Sequence, residues 1–272
     1  MPGPARWLAL VVALVAVAGC SGPGVPGPAT PTGTPAPVPT DTPPRYPPGV
    51  LASGVYDPDS LVTAHRDRLA SVSHAVRETR TERYLNGTVR ARRVETARVL
   101  PGGQFHRVVR LEGPAASHPL FPGATRVELY ARGESAPVYA AGWRGTDVRY
   151  ATVTPVNQRA SPLRLLLQAF EARAEVVERN GTRLVGVEST AVADRYFLES
   201  AEGVVQGEAR NATFHAVVEP GGLVREYRVR YALAVDGTLV RVTHRVAYTD
   251  LGNTTVSRPD WYEEAVARTG GR

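Results

Sequence analysis

Cysteine and lysine are the residues that this sequence lacks. Cys20 is the only cysteine among 272 residues, and all 32 basic residues are arginine. A single thiol cannot build a disulfide framework or a cysteine-based zinc site, so other interactions must hold the fold together. The chain after Gly49 is long enough to bury about 70% of its unfolded surface, which makes such cross-links unnecessary.

Motifs that carry catalysis or metal binding are also scarce. The six histidines show no paired HxH or HExxH spacing, and no GxSxG motif is present. His65-Arg66-Asp67 matches the triplet of kinase catalytic loops, but it has no glycine-rich loop before it and no Asp-Phe-Gly after it. Glu171 and Glu175 can face each other on a helix, without further partners. We therefore expect no enzymatic activity, no metal and no cofactor.

The longest apolar run is too short to cross a membrane. Trp7 to Gly19 comprises 13 residues after Arg6, whereas a spanning helix takes about 17–25. Its positive start, apolar middle and small final residues are typical of a signal peptide. Residues 17–20 (VAGC) resemble the lipobox of bacterial and archaeal lipoproteins, in which the cysteine receives a lipid. An ordinary cleaved signal with a chance cysteine is the alternative.

A tract rich in proline follows Cys20. Residues 21–49 contain 11 prolines and 5 glycines, a composition that cannot bury a core and favours extended chain. At about 3.1 Å per residue its reach is at most roughly 90 Å. We predict a lipoprotein signal peptide at 1–19, a lipidated Cys20 with a disordered tether at 20–49, and a single β-rich domain at 50–272.

The charge has two interpretations. Against 26 acids the arginines leave a formal charge of +6, which favours either attraction to anionic lipid or nucleic acid, or simply the codon usage of a GC-rich genome. Acids are interspersed with the arginines, as in residues 77–83 (RETRTER), and this mixture is typical of a solvated strand face. The tightest cluster is Arg90, Arg92 and Arg93. We expect no nucleic-acid partner.

Hydrophobic periodicity predicts an α+β fold dominated by antiparallel strands. Asp57-Pro58 starts a helix that ends near Ser73, Ser161-Pro162 starts a second that ends near Arg173, and a short one runs from about 259 to 267. Residues 190–206 are ambiguous. Strands are predicted at 75–85, 88–100, 104–112, 125–132, 137–143, 147–154, 174–179, 182–188, 207–219, 223–235 and 238–249. This order predicts one large curved sheet, an unclosed half-barrel, with the two main helices on its concave face.

Two apolar stripes, one on the second helix and one on the 223–235 strand, are candidates for the wall of a ligand groove. Their members are Leu166, Leu167, Phe170, Tyr227, Val229, Tyr231 and Leu233. The alternative is that these side chains form an ordinary core without an open cavity.

Four Asn-X-Thr sequons are candidate glycosylation sites, at Asn86, Asn180, Asn211 and Asn253. Two of them are also Asn-Gly pairs, which are typical of type I′ hairpin turns. Exposed turn tips are compatible with both interpretations.

Three stretches resemble a haloarchaeal lipoprotein family of unknown function. They are residues 61–69 (LVTAHRDRL), residues 84–88 (YLNGT), and residues 248–256 (YTDLGNTTV) followed by Pro259 and Trp261. More distantly, the layout is similar to the half-barrel lipoprotein carriers of the LolA, LppX and LprG type. This resemblance implies an unclosed β half-barrel with helices over an apolar groove, which in the carriers binds acyl chains.

Together these patterns predict a lipid-anchored protein on the extracytoplasmic face of a cell membrane. The leading hypothesis is that it binds or carries an apolar ligand or lipid between the sheet and the helices. The alternative is a cell-surface structural or protein-interaction lipoprotein without a small ligand.

Replacing the predicted lipidated residue tests the anchor. We expect Cys20→Ser to leave the protein soluble or unprocessed and detached from membranes, because the thiol is the only group that can receive the lipid. Membrane fractionation of the two forms measures this. Unchanged, detergent-requiring membrane association of Cys20→Ser would contradict the lipid anchor.

Overall fold

A computed structural model describes residues 46–153, 162–204 and 208–270. Contacts divide the chain into one unit at 1–41 and a second at 42–272, and the second unit contains all described residues. Cys20, most of the predicted tether and the Ser161 helix start lie outside the described residues. Within the described ranges, no helix combines the length and the apolar character needed to cross a bilayer.

About half of the described residues lie in β-strands. The strands are β1 (Val50–Leu51), β2 (Gly54–Val55), β3 (His74–Tyr84), β4 (Val89–Val99), β5 (Phe105–Glu112), β6 (Arg126–Ala131), β7 (Val138–Arg144), β8 (Asp147–Val153), β9 (Arg173–Arg179), β10 (Thr182–Ser189), β11 (Arg210–Val218), β12 (Val224–Val235) and β13 (Thr238–Thr249). The predicted strands β3 to β13 are confirmed with small shifts at their ends. The two-residue strands β1 and β2 form a separate hairpin that the sequence did not predict.

Eleven strands form one antiparallel sheet in the order β8-β7-β6-β5-β4-β3-β13-β12-β11-β10-β9. Two meanders, β3–β8 and β9–β13, meet where β3 pairs with β13. Strands β8 and β9 are the two edges and do not pair with each other. The predicted α+β fold with an unclosed antiparallel half-barrel is confirmed.

The described residues also form four helices, which are α1 (Pro58–Ser71), α2 (Pro162–Ala169), α3 (Arg195–Glu202) and α4 (Tyr262–Thr269). The Asp57 carboxylate caps α1, as predicted, by accepting the amides of Asp59 and Ser60 at 3.1 Å each. Helix α2 ends earlier than predicted, because the Ala169 carbonyl accepts the amide of Ala193 at 2.8 Å and Phe170 forms a β-bridge with Val192.

Helix α3 fills part of the ambiguous 190–206 stretch. Asp194 caps its start by accepting the amide of Tyr196 at 2.8 Å. Gly203 ends it in the left-handed region, at φ 64°, which glycine adopts without a steric penalty. The sequence therefore contained both cap signals, although its apolar stripe was too short to reveal the helix.

Helices α1, α2 and α3 lie on one face of the sheet, and α4 lies on the other. Leu61, Leu166 and Leu198, one from each of the first three helices, are fully buried in the same apolar cluster as the inward side chains of β9–β13. On the outer face, the Tyr262 ring of α4 meets the rings of Tyr130 and Tyr139 edge-on at 5.1 and 5.2 Å. The concave face thus carries a third helix besides the two that were predicted.

The two Asn-Gly turns differ. Asn180 and Gly181 both have positive φ, 52° and 72°, as a type I′ turn requires. At the other turn only Gly87 has positive φ, 88°, and its amide donates to the Tyr84 carbonyl at 2.9 Å. The predicted type I′ turn is wrong there, because the longer loop places glycine at a bulge position.

A second apolar cluster lies under the 113–124 loop, on the concave side of β5–β7. Phe121 from this loop packs on it and is 4% exposed. Gly142 of β7 lies beneath the Phe121 ring, and a Cβ atom there would be 2.4 Å from Cγ of Phe121. The close approach of the loop therefore depends on a residue without a side chain.

We expect Gly142→Ala to lower the free energy of unfolding by about 1–3 kcal/mol, because the new methyl group must displace the Phe121 ring. Gly186→Ala in β10 is the matched control, since its nearest neighbour would be a side-chain carbon at 3.8 Å, an ordinary contact. Urea denaturation of both variants measures the difference. Equal stabilities would show that the loop adapts freely.

Candidate functional site

The concave face changes from apolar to charged and back to apolar across the sheet. One row of directly paired residues shows this change: Tyr227, Val246, Glu78, Glu95, Val109 and Val127. The apolar ends lie under α1–α3 and under the 113–124 loop. Any ligand along this face would meet two apolar regions with charges between them.

The seven predicted wall residues converge in the apolar region under the helices. All are buried, with exposures from 0% for Val229 to 7% for Leu233, and all belong to one contiguous cluster. The rings of Phe170 and Phe214 stack at 5.4 Å between their centroids. The side chains therefore pack against each other and against the helices, which leaves the wall closed in this conformation.

A buried ionic network ties α3 to the sheet at the margin of this cluster. The Glu202 side chain is fully buried, and its Oε2 accepts from the Arg80 guanidinium at 2.6 Å. Its Oε1 lies 2.8 Å from Nδ1 of His244. The Tyr231 hydroxyl accepts from Arg80 at 2.8 Å and lies 3.3 Å from Glu202. Because each charge has a partner, the network avoids the cost of an isolated buried ion.

His244 is held in its charged form. Burial alone would lower its pKa, but the hydrogen bond to Glu202 and the Glu78 carboxylate, 3.3 Å from Nε2, outweigh burial and raise the pKa to about 9. Burial also acts to raise the pKa of Glu202, yet the bonds from His244 and the nearby Arg80 leave that pKa below its usual value. At neutral pH both groups are therefore ionised.

A second group of charges occupies the concave side of β4 and β5. Glu95 is 7% exposed, and it lies 2.5 Å from Arg93 and 3.0 Å from Arg107. Two arginines thus share one carboxylate, while parts of both guanidinium side chains remain exposed at 41% and 43%. The middle of the face therefore carries partly exposed arginines beside the neutralised Glu202 network.

A large depression lies at another place on the sheet. It has a volume of about 1460 Å³ and opens at the β9 edge, between the 52–56 segment and the outward side chains of β9–β12. Arg173, His215 and Arg228 are among its polar lining, and Phe170 is the only predicted wall residue that borders it. This depression does not enter the predicted groove.

The kinase-like triplet is not a site. His65 points into the core, where its Nδ1 accepts the amide of Val224 at 3.2 Å, and burial lowers its pKa to about 4. Arg66 and Asp67 are exposed on the helix surface. Within the described ranges, no cluster of three or more histidine, cysteine or acidic side chains is arranged to hold a metal.

All four sequon asparagines are exposed. Asn86 and Asn180 lie in hairpin turns, Asn211 lies at an irregularity between β11 and β12, and Asn253 follows β13. The Asn86 amide oxygen accepts the backbone amide of Thr88 at 2.9 Å. Accessibility suits modification at each position, which stays a prediction.

Sequence reasoning missed Glu202, Arg80 and His244 as a unit. They come from α3, β3 and β13, and each is an ordinary charged residue in its local pattern. The only local sign of a buried charge cluster was that Arg80 and Glu82, two charged residues, lie on the side of β3 that faces the helices. Their meeting depends on the β3–β13 pairing, which opposes Arg80 and His244 directly.

No protein-family model and no curated protein matches this chain. Among solved structures, LprF from Mycobacterium bovis aligns with a TM-score of 0.38 and 15% identity, over 76% of this chain and 98% of its own. A DUF1329 family protein from Desulfovibrio piger aligns with a TM-score of 0.29 and 11% identity, over 76% and 95%. A LolA superfamily protein from Nitrosomonas europaea aligns with a TM-score of 0.26 and 8% identity, over 74% and 94%. Membership of the haloarchaeal family stays a prediction.

The His244 network predicts a pH-dependent stability. The pKa of His244 in the folded protein, about 9, exceeds the ordinary value of 6.5. The stabilisation that the protonated imidazole contributes to folding is therefore complete below pH 6.5 and is lost as pH rises through 9. The full loss corresponds to at most about 3 kcal/mol. We expect the free energy of unfolding to fall across this window, and to fall much less in Glu202→Gln.

Glu188→Gln is the matched control, because Glu188 faces His215 at 3.3 Å in an exposed pair. It should retain the wild-type pH slope, which denaturant unfolding at several pH values measures. A wild-type slope in Glu202→Gln would show that the buried pair does not control the titration of His244.

Proposed function

We propose that this protein is a lipid-anchored, extracytoplasmic binding protein that takes up an apolar or amphiphilic ligand between the concave face and helices α2 and α3. The convergence of all seven predicted wall residues in one apolar cluster between these helices and the sheet carries the proposal. The lipobox at Cys20 and the proline-rich tract support the anchor and the location.

The chain path supports a role for α2 and α3 as a cover. The connection from β8 to β9 joins the two opposite edges of the sheet, and α2 lies within it. Its side chains Leu163, Leu166 and Leu167 enter the cluster without belonging to any strand. This helical layer can therefore separate from the sheet while the strand pairing stays intact.

Ligand entry requires the packed wall to open. Leu166 and Leu198 would leave the cluster, at a cost of roughly 1.5–3 kcal/mol each unless ligand atoms replace their contacts. The Glu202 network would part at the same time, and its charges would be solvated by water. An acyl chain restores the apolar contacts, and the exposed arginines beside Glu95 provide a place for a polar or anionic head.

The filled wall also favours a second candidate, a surface structural or protein-interaction lipoprotein without a small ligand. In that case the seven side chains are only the core. The two functions differ in whether any apolar molecule accompanies the protein or can enter it.

Extraction of the purified full chain tests the first function. We expect organic extraction followed by mass spectrometry to recover a lipid in proportion to the protein, and native mass spectrometry to show the complex. The protein's own covalent lipid is distinguished because Cys20→Ser lacks it and should still carry the ligand.

A variant that weakens the attachment of α3 to the sheet provides a second test. Glu202→Gln weakens the bond between α3 and the sheet, so we expect faster uptake of a fluorescent fatty acid than in wild type. Glu175→Gln, which removes an exposed carboxylate, should leave the rate unchanged. Absence of extracted lipid together with no uptake by any variant would favour the second function.

A further inference from the structure

The outer face of the sheet is strongly basic. On six neighbouring strands, β6-β5-β4-β3-β13-β12, the side of the sheet opposite α1–α3 carries ten arginines. They are Arg77, Arg83, Arg92, Arg98, Arg110, Arg126, Arg228, Arg230, Arg241 and Arg245. The same surface carries three carboxylates, Glu112, Glu128 and Glu226, of which Glu128 is buried. We call this surface the basic face.

Strand alternation creates the basic face from a mixed sequence. In residues 77–83 (RETRTER), Glu78 and Glu82 point to the concave side with Arg80, whereas Arg77 and Arg83 point outward. The same sorting places Glu95 inward and Arg92 and Arg98 outward. A stretch of nearly balanced charge thus yields one face with excess positive charge.

The basic face contains arginines that oppose each other directly. Three such pairs are Arg228 with Arg245, Arg83 with Arg241, and Arg110 with Arg126. Like charges in this position destabilise a sheet. Within the described residues, only Arg92, Arg126 and Arg245 of the ten take part in ion pairs. In the pair of Arg83 and Arg241, neither guanidinium takes part in an ion pair within the described residues, so an external anion would relieve their repulsion.

The size of the basic face suits an extended anionic partner. Six strands span about 24 Å, and the seven residues from Arg77 to Arg83 span about 20 Å. Eight of its ten arginines are exposed. At one side, Trp143 and Trp261 lie partly exposed on the same face with their rings 6.4 Å apart. Tryptophan with arginine is a combination that the headgroup region of a bilayer accommodates.

We propose that the basic face docks on the surface of an anionic lipid bilayer. Phosphate-bearing headgroups would neutralise the unpaired guanidinium groups, and the flanking tryptophans would enter the interface. The face lies on the back of the half-barrel, so α1–α3 and the concave side point away from the membrane. This inference rests on charge complementarity. Docking does not depend on ligand binding by the concave face. The lipid anchor predicted at Cys20 would only keep the domain close to the bilayer.

Vesicle sedimentation of the full chain carrying Cys20→Ser tests the docking. Binding to vesicles of phosphatidylcholine measures the contribution of the apolar N-terminal run. The additional binding to vesicles that also contain phosphatidylglycerol measures the electrostatic contribution. We expect added binding to anionic vesicles at about 0.1 M salt and its loss at about 1 M. Arg77→Gln with Arg241→Gln should weaken this part roughly 25-fold, at about fivefold for each arginine.

Arg66→Gln with Arg68→Gln is the matched control, because it removes the same charge from the exposed surface of α1. It should bind anionic vesicles nearly as well as the parent chain. Arg77→Lys with Arg241→Lys keeps the charge and should also bind, which separates charge from folding defects.

Three results would overturn the proposal. One is equal binding to both kinds of vesicle, and another is equal weakening by the two glutamine double variants. The third is arginine-dependent binding to duplex DNA without binding to anionic vesicles, which would make the partner a nucleic acid. Each result is independent of ligand extraction, so the docking and the binding function can fail separately.

Discussion

The pairing of β3 with β13 is the interaction on which the rest of this structure depends. It joins the first long strand of the sheet to the last and unites two meanders that would otherwise be separate sheets. The same pairing sends β8 and β9 to opposite edges, so the chain between them must traverse the sheet. Helix α2 lies on that crossing, and together with α1 and α3 it covers the apolar half of the concave face. The position of the helices thus follows from one strand pair.

The strands were predictable because the sequence alternates at period two and marks its turns with glycine, asparagine and aspartate. The pairing order was not predictable in this way, since local signals do not identify the partner of β3. Helix α3 was missed because Leu198 is the only buried apolar side chain among its eight residues. The wall residues could be found because each lies on a clear stripe. Glu202 could not, because its role depends on Arg80 and His244, which reach it through tertiary contacts.

The distribution of charge between the two faces of the sheet was the feature that the sequence predicted least well. Arginine and glutamate alternate along β3 and β4 in a manner typical of a solvated strand, yet the two sides of the sheet receive very different shares. Acids concentrate on the concave side, where Glu78, Glu95 and Glu202 meet arginines and His244. On the outer side, seven of the ten arginines of the basic face form no ion pair within the described residues. The concave face is consequently divided by charge, which distinguishes it from a uniformly apolar groove.

The late position of β13 also has a consequence for how the chain acquires its structure. Contacts between residues far apart in sequence slow folding, because the intervening loop must be closed before they form. Until β13 arrives, β3 presents an unpaired edge, and the charged side chains of the concave face lack His244. Native structure in the middle of the sheet must therefore await nearly the whole of the chain.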